Sequence, residues 1–292
     1  IKNRNRRITF YIFIIMYIDE LIEIAIKEDI GNGDHTSLAC IPTNAIGKAH
    51  LLVKEDGIIA GVELAKKIFT RIDSNLIFNK LIEDGTYIKK DDIVFTVEGN
   101  QQSILQAERL VLNFMQRMSG IATSTAYYVS LLDGLKTKVL DTRKTTPGLR
   151  EIEKWAVKIG GGENHRMGLY DMVMIKDNHI DYAGGIEKAI RTTVEYLNIN
   201  NKKLKIEIEA RNLDELHQIL SVGKVDRIML DNFSYDDLRT AVKLIDGKYE
   251  TEASGGIADK TIRSYAECGV DFISVGALTH QIKSLDLSLK AI

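Results

Sequence analysis

Five cations recur across a short span of the chain: Arg143-Lys144, His165-Arg166 and Lys176. Arginine grips a carboxylate or phosphate through two parallel hydrogen bonds, and lysine supplies a compact charge. Taken singly, Arg166 or Lys176 reads as a surface ion-pair residue and His165 as an ordinary hydrogen-bonding histidine. Gathered in one mouth they would repel one another unless an anion filled the space, so the group points to a highly anionic ligand. Two acids follow, Glu209 and Asp231. They could hold Mg2+ on a phosphorylated substrate through waters, hold ribose hydroxyls, or offset positive charge developing on a sugar carbon. Charge balance against Arg143 or Lys176 is the plainer alternative. The segments Ser254-Gly255-Gly256 and Val275-Gly276-Ala277 could let backbone N–H groups approach phosphate oxygens; each alone reads equally well as a tight turn.

Such residues need a scaffold that brings them to one place. From Lys138 onward, short apolar runs alternate with helical stretches: Lys138–Leu140, Met172–Ile175, Leu204–Ile208, Arg227–Leu230, Tyr249–Ala253 and Phe272–Val275. Alternation of this kind predicts a parallel sheet, and six units in succession favour a (β/α) barrel. The residues at or just beyond the run ends are Asp141, Lys176, Glu209, Asp231, Ser254 and Gly276. In a barrel these cluster at the C-terminal mouth, where active sites are built. The preceding part reads as mixed α and β: a helix over Ile18–Glu28, strands over Gly47–Lys54 and Thr86–Glu98, and a helix over Val62–Ile72 between them. Ser103–Leu132 is helical in pattern, with a break expected at Ser119-Gly120.

Bulk properties fit a soluble globular chain of two modest domains or one large barrel. There are 292 residues, 45% hydrophobic and 27% charged, with 2 prolines, so no long disordered linker is expected. A formal charge of −2 argues against nucleic acid as a partner. Cys40 and Cys268 stand far apart without metal-ligand spacing, which suits a reduced, cytoplasmic compartment. Lys2, Arg4, Arg6 and Arg7 precede an apolar run over Ile8–Ile18 that is too short to span a bilayer. Residues 1–15 are expected to be a non-functional extension, with Met16 as a start. The chain carries no GxxxxGK[ST], GxGxxG, HExxH or GxSxG motif.

Several long stretches resemble the quinolinate phosphoribosyltransferase family. They include Asp141-Thr142-Arg143-Lys144-Thr145-Thr146-Pro147-Gly148-Leu149-Arg150, Gly160-Gly161-Gly162-Glu163-Asn164-His165-Arg166 and Ile175-Lys176-Asp177-Asn178-His179. Earlier, Glu28-Asp29-Ile30-Gly31, Gly33-Asp34-His35-Thr36, Glu108-Arg109-Leu110 and Ser119-Gly120-Ile121-Ala122-Thr123 are similar to it. Later, Glu207-Ile208-Glu209, Leu230-Asp231-Asn232 and Ser254-Gly255-Gly256 fall in the family's order. The likeness runs from Met16 to the end; residues 1–15 fit no part of it.

The resemblance implies an N-terminal α/β sandwich domain over 16–118, with a tail from about 280 to 292 packing on it. A C-terminal incomplete (β/α) TIM-like barrel covers 119–279. It implies a homodimer in which Arg109 reaches the neighbour's site. Thr142, Arg143, Lys144, His165, Arg166 and Lys176 match substrate-binding positions. Glu209 and Asp231 match the acidic pair, catalytic and toward Mg2+, and Ser254, Gly255, Gly256 and Gly276 the phosphate loops; Lys144 is a further catalytic candidate. The implied reaction joins quinolinate to phosphoribosyl pyrophosphate with loss of carbon dioxide, as in NAD biosynthesis, without an organic cofactor, nucleic acid or membrane. The alternatives are a transferase for nicotinate or another ring acid, an inactive ligand-binding relative, and a sugar-phosphate barrel isomerase.

Overall fold

The computed structural model describes residues 17–292; the expected extension over 1–15 and the expected start at Met16 lie outside the described residues. Helical residues 17–30 form α1. There follow α2 (His35–Cys40), β1 (Ile46–Val53), β2 (Gly57–Ile58), α3 (Val62–Ile72), β3 (Ile77–Lys80), β4 (Tyr87–Ile88), β5 (Ile93–Asn100) and α4 (Gln101–Ser130). Next come β6 (Lys138–Leu140), α5 (Arg150–Ile159), β7 (Val173–Ile175), α6 (Asp177–Ala183), α7 (Ile186–Ile199), β8 (Ile206–Ala210), α8 (Leu213–Val222) and β9 (Arg227–Asp231). The chain closes with α9 (Tyr235–Ile245), β10 (Glu250–Ser254), α10 (Asp259–Ala266), β11 (Phe272–Ser274), α11 (Ala277–His280) and β12 (Leu287–Ala291). Contacts divide it into two units: the described residues up to Ala126 with Thr146–Gly161 and Gln281–Ile292, and Tyr127–Thr145 with Gly162–His280.

The first unit is built on an antiparallel sheet of order β12-β1-β5-β3. Along β1 the side chains of Ala49, Leu51 and Val53 are buried at every second residue, the period of a strand with one covered face. Helix α3 buries Val62, Ala65, Ile68 and Phe69 at helical spacing, and Phe69 meets Phe78 and Phe95 of the sheet at ring-centroid distances of 5.9 Å. Strand β12 pairs with β1 in the register Ala49↔Ala291, so the C-terminal segment is an edge of this sheet.

Two sequence expectations change here. The break at Ser119-Gly120 does not occur, and α4 runs unbroken for 30 residues. Gly120 instead permits close approach: a Cβ there would lie 2.2 Å from the Lys283 carbonyl oxygen. Ser119 is fully buried, and its hydroxyl meets both N–H and C=O of Ala60. The single strand expected over Thr86–Glu98 is two, β4 and β5, separated by a turn in which Asp91 has φ 76°. In addition, Thr146–Gly161, read from the sequence as barrel, groups with this first unit. Gly160 lies against the Ala122 backbone, where a Cβ would meet the Ala122 oxygen at 2.4 Å, and Glu153 of α5 is buried against Arg117 of α4 at 2.9 Å.

The second unit holds six parallel strands in the order β6-β11-β10-β9-β8-β7, an incomplete (β/α) barrel. All five residues of β8 are buried, which suits a strand covered on both faces. Because side chains alternate, Glu207 and Glu209 share one face of β8. Register carries that face across the sheet: Glu207 stands opposite Arg227, Arg227 opposite Glu250, Glu209 opposite Met229, Met229 opposite Glu252, and Asp231 opposite Ser254. One face of a parallel sheet thus carries a band of charge, which burial penalises unless each charge is paired.

Candidate active site

The charged face and the ends of its strands gather most of the sequence-selected residues in the second unit. Asp141 follows β6 directly and is fully buried; its Oδ1 accepts the His165 N–H at 2.8 Å. This contact ties the loop bearing His165 and Arg166 to the loop bearing Arg143 and Lys144. The Thr142 hydroxyl accepts the Lys144 N–H at 3.0 Å, and the Lys144 carbonyl accepts the Thr279 hydroxyl at 2.8 Å. Lys144 itself is exposed, and a Cβ on Gly276 would lie 3.1 Å from its Cδ.

Arg143 and Arg166 are both half-buried. Burial first, and then the neighbouring Arg143 charge, pull the Arg166 guanidinium below its ordinary range. The Nε of Arg143 is buried with no hydrogen-bond partner among the described residues. A guanidinium N–H held out of water without an acceptor is costly, and a ligand carboxylate would satisfy it.

His165 lies against two acids of the sheet. It is only 8% exposed, and both ring nitrogens face protein. Nδ1 accepts the Arg166 N–H at 2.6 Å, while Nε2 lies 2.9 Å from Glu207 and 3.3 Å from Glu252. Burial alone would push the imidazole down, but the two carboxylates outweigh it and raise it to about 9. Burial and then Glu252 push Glu207 up to about 7. The triad therefore keeps a proton through neutral pH, and the Nδ1 contact directs that proton to the Nε2 side. Sequence reasoning missed Glu207, Glu252 and Arg227. The signal that could have found them is acids at every second position of two apolar strands, Ile206–Ala210 and Glu250–Ser254.

The acidic pair chosen from sequence is placed on neighbouring strands. Glu209 is buried and accepts from the Lys176 ammonium at 3.0 Å. Burial raises its carboxyl above the usual range; Lys176 pulls it down, while Asp231 and Asp177 push it up. Asp231 ends β9 with one oxygen accepting from Ser254 at 2.9 Å and the other from the Asn232 amide at 2.6 Å. Gly255 and Gly256 both adopt positive φ, 101° and 59°, and a Cβ at Gly256 would meet nothing within 4 Å. That backbone faces open space, as a phosphate-approaching loop must. Arg109 lies exposed on α4 in the first unit.

An incomplete barrel whose strand ends converge arginines, a lysine and two carboxylates defines an enzyme that handles anionic, phosphorylated substrates. Family profiles make the assignment narrower. The profile described as quinolinate phosphoribosyl transferase, C-terminal domain, matches residues 121–290, and the one for the N-terminal domain matches 34–119. The chain belongs to the quinolinate phosphoribosyltransferase family. A Nicotiana tabacum protein named quinolinate phosphoribosyltransferase (decarboxylating) 2b, mitochondrial, is 46% identical over 288 residues, covering 94% of this chain and 82% of the relative. A Bacillus subtilis protein named probable nicotinate-nucleotide pyrophosphorylase (carboxylating) is 40% identical over 94% of this chain and 93% of its own length. The solved nicotinate-nucleotide pyrophosphorylase from Francisella tularensis superposes with a TM-score of 0.88 at 42% identity, covering 94% of this chain and 96% of that one.

Proposed function

We propose that this chain carries out its family's reaction at the mouth of the six-stranded unit. Phosphoribosyl passes from phosphoribosyl pyrophosphate to the ring nitrogen of quinolinate, with decarboxylation, giving nicotinate mononucleotide, carbon dioxide and pyrophosphate for de novo NAD biosynthesis. The observation that carries this reading is the buried, partnerless Nε of Arg143 next to the half-buried Arg166. Quinolinate is a dianion with carboxylates on adjacent ring carbons, and two guanidiniums held side by side suit it. The ring nitrogen forms its bond to the anomeric carbon as pyrophosphate leaves. Positive charge builds on the sugar, where Glu209 and Asp231 stabilise it. The quaternary nitrogen then takes up the electron pair as the 2-carboxylate departs, and a proton from Lys144 or water replaces it on the ring carbon.

Two repelling carboxylates, only one of them held by a lysine, fit an outer hold on a divalent cation. Glu209 and Asp231 would keep Mg2+ through waters, and the ion would neutralise the departing pyrophosphate. The Ser254-Gly255-Gly256 turn and Gly276 take the ribose 5-phosphate. No step calls for an organic cofactor. Arg109, exposed on its helix, completes the site of a second copy in a homodimer. Two free cysteines favour a reducing, cytoplasmic setting, whereas the names of plant relatives place those proteins in mitochondria or chloroplasts. Among the described residues no helix is long and apolar enough to cross a membrane.

A turnover assay with quinolinate, phosphoribosyl pyrophosphate and Mg2+ tests the reading. Carbon dioxide from the labelled 2-carboxylate and nicotinate mononucleotide should appear in equal amounts, with no product from nicotinate. Turnover of nicotinate alone would move the chain to a non-decarboxylating reaction, and silence with both would make it an inactive relative.

A further inference from the structure

Beneath the cations lies a buried ionic network that the reaction itself does not use. Glu207 and Glu252 are fully buried, and His165 and Arg227 are under 10% exposed. Arg227 Nη1 donates to Glu252 Oε2 at 3.2 Å, and the same Glu252 oxygen lies 3.3 Å from His165 Nε2. Glu250 takes the other edge of the Arg227 guanidinium, with Nη2 at 3.1 Å. Glu207 has no such outside support. Neither of its oxygens has a hydrogen-bond partner among the described residues, and the His165 ring approaches to 2.9 Å as an ion pair. A fully buried carboxylate held only by an ion-pair contact is expensive to keep, so its position is explained by what that neighbour does.

What His165 does is hold Arg166. Its Nδ1 takes the backbone N–H of Arg166, its own backbone N–H is fixed by Asp141, and the Glu207 charge favours the charged Arg166 guanidinium. Arg166 in turn faces repulsion from Arg143. Two guanidiniums that repel each other keep a shared aim only if something fixes one of them. We propose that Glu207 is a positioning residue for the anion site: it locks the His165 ring, and through that ring holds Arg166 beside Arg143. Glu252 and Arg227 close the network behind it. His165 then acts through Arg166 and does not itself grip substrate. The three side chains could geometrically share a metal ion, since their ligand atoms lie within 4.8 Å of one another. Arg227 already supplies the cation at the inner Glu252 oxygen, which favours a proton in that place.

The proposal rests on Arg143 and Arg166 being the quinolinate grip. Wild-type failure to turn over quinolinate would sink that reading; the comparisons below test Glu207 within an active enzyme. Glu207→Ala removes the acceptor and should raise the KM for quinolinate about tenfold or more, with KM for phosphoribosyl pyrophosphate nearly unchanged. Glu207→Gln keeps an acceptor oxygen and should recover most of that loss. Histidine nitrogen NMR should show His165 with a bare Nδ1 and a protonated Nε2 in wild type and Glu207→Gln, and a changed ring in Glu207→Ala. If Glu207→Ala does not fold, the Gln variant decides: an unaltered ring with a nearly normal quinolinate KM supports the proposal. Equal rises in both KM values, or a large quinolinate loss in Gln with the His165 signature intact, would overturn it. So would a normal quinolinate KM in folded Glu207→Ala, or stoichiometric metal in the wild-type protein that the Ala variant lacks.

Discussion

Gly255 and Asn232 occupy what would otherwise be the same space: a Cβ on Gly255 would fall 2.2 Å from the Asn232 side-chain oxygen and 2.9 Å from its backbone nitrogen. Asn232 has φ 55°, uncommon for a residue with a side chain, and its amide donates to Asp231 while its N–H donates to the Ser254 carbonyl. The glycine therefore leaves room for the residue that orients Asp231. Gly255→Ala carries a second handicap, since Gly255 itself has φ 101°. The variant should lose about tenfold or more in kcat/KM for phosphoribosyl pyrophosphate, with quinolinate binding less affected. Steady-state kinetics with each substrate varied in turn, alongside a thermal melt, checks this. A variant that melts normally and retains full kcat/KM would show that Asn232 has somewhere else to go.

Lys176 sets the ionisation of Glu209. Burial holds the Glu209 carboxyl above its usual range, Asp231 and Asp177 add to this, and the ammonium at 3.0 Å opposes them. If ionised Glu209 is needed for turnover, activity is lost as pH falls through its folded pKa. Lys176→Met removes the opposing cation and lets that pKa climb further. The acid limb of the kcat/KM profile should move to higher pH by about a unit, on top of a lower plateau. An acid limb that stays in place would show that Glu209 is not the group it reports.

The barrel and its mouth were legible in the sequence because alternating strands and helices leave a period that backbone geometry enforces. Arg143, Lys176, Asp231 and Ser254 lie at strand ends or in the loops just beyond, as the pattern requires. Tertiary approach was not legible. Gly120 looks like a helix breaker from its backbone freedom alone, and only the Lys283 carbonyl beside it shows why a bare Cα is needed. Arg150–Ile159 continues from barrel loops in sequence, yet the Arg117–Glu153 pair, 36 positions apart, joins it to the first unit. His165 reads as a site cation because its partners, Glu207 and Glu252, are 42 and 87 positions away and look like ordinary strand acids. Long-range pairing of buried charge leaves no local trace.

The buried triad also makes stability depend on pH. Burial and the Glu252 charge raise Glu207 to about 7. A group whose folded pKa exceeds its unfolded one stabilises the fold below the unfolded value, and loses that contribution as pH rises through the folded value. The Glu207 window thus runs from the ordinary carboxylate range up to about 7, while His165, whose Nδ1 accepts the Arg166 N–H, keeps its one proton on Nε2. The free energy of unfolding should fall across this range as the retained proton leaves. Glu207→Gln cannot ionise, so its curve should be flatter. Urea melts at intervals from pH 5 to pH 9 compare the two; parallel curves would mean that the triad does not titrate in that range.

A site shared between subunits makes the sharpest prediction about assembly. Arg109 lies on α4 in the first unit, and Lys144 lies in the second, on the loop after β6. If Arg109 serves the neighbouring copy, Arg109→Ala should abolish quinolinate turnover without unfolding the chain, because its side chain is exposed and on a long helix. Lys144→Ala should do the same from the other side. Mixing the two inactive proteins, after dissociation and reassembly, gives heterodimers in which one site carries both substitutions and the other carries neither. Random pairing makes about half of the dimers mixed, each with one intact site, so about a quarter of wild-type activity should return. If Arg109 acts within its own chain, every site in the mixture lacks one residue and nothing returns. Activity measured on heterodimers of confirmed composition separates the two outcomes, since recovery requires that the two residues meet across an interface.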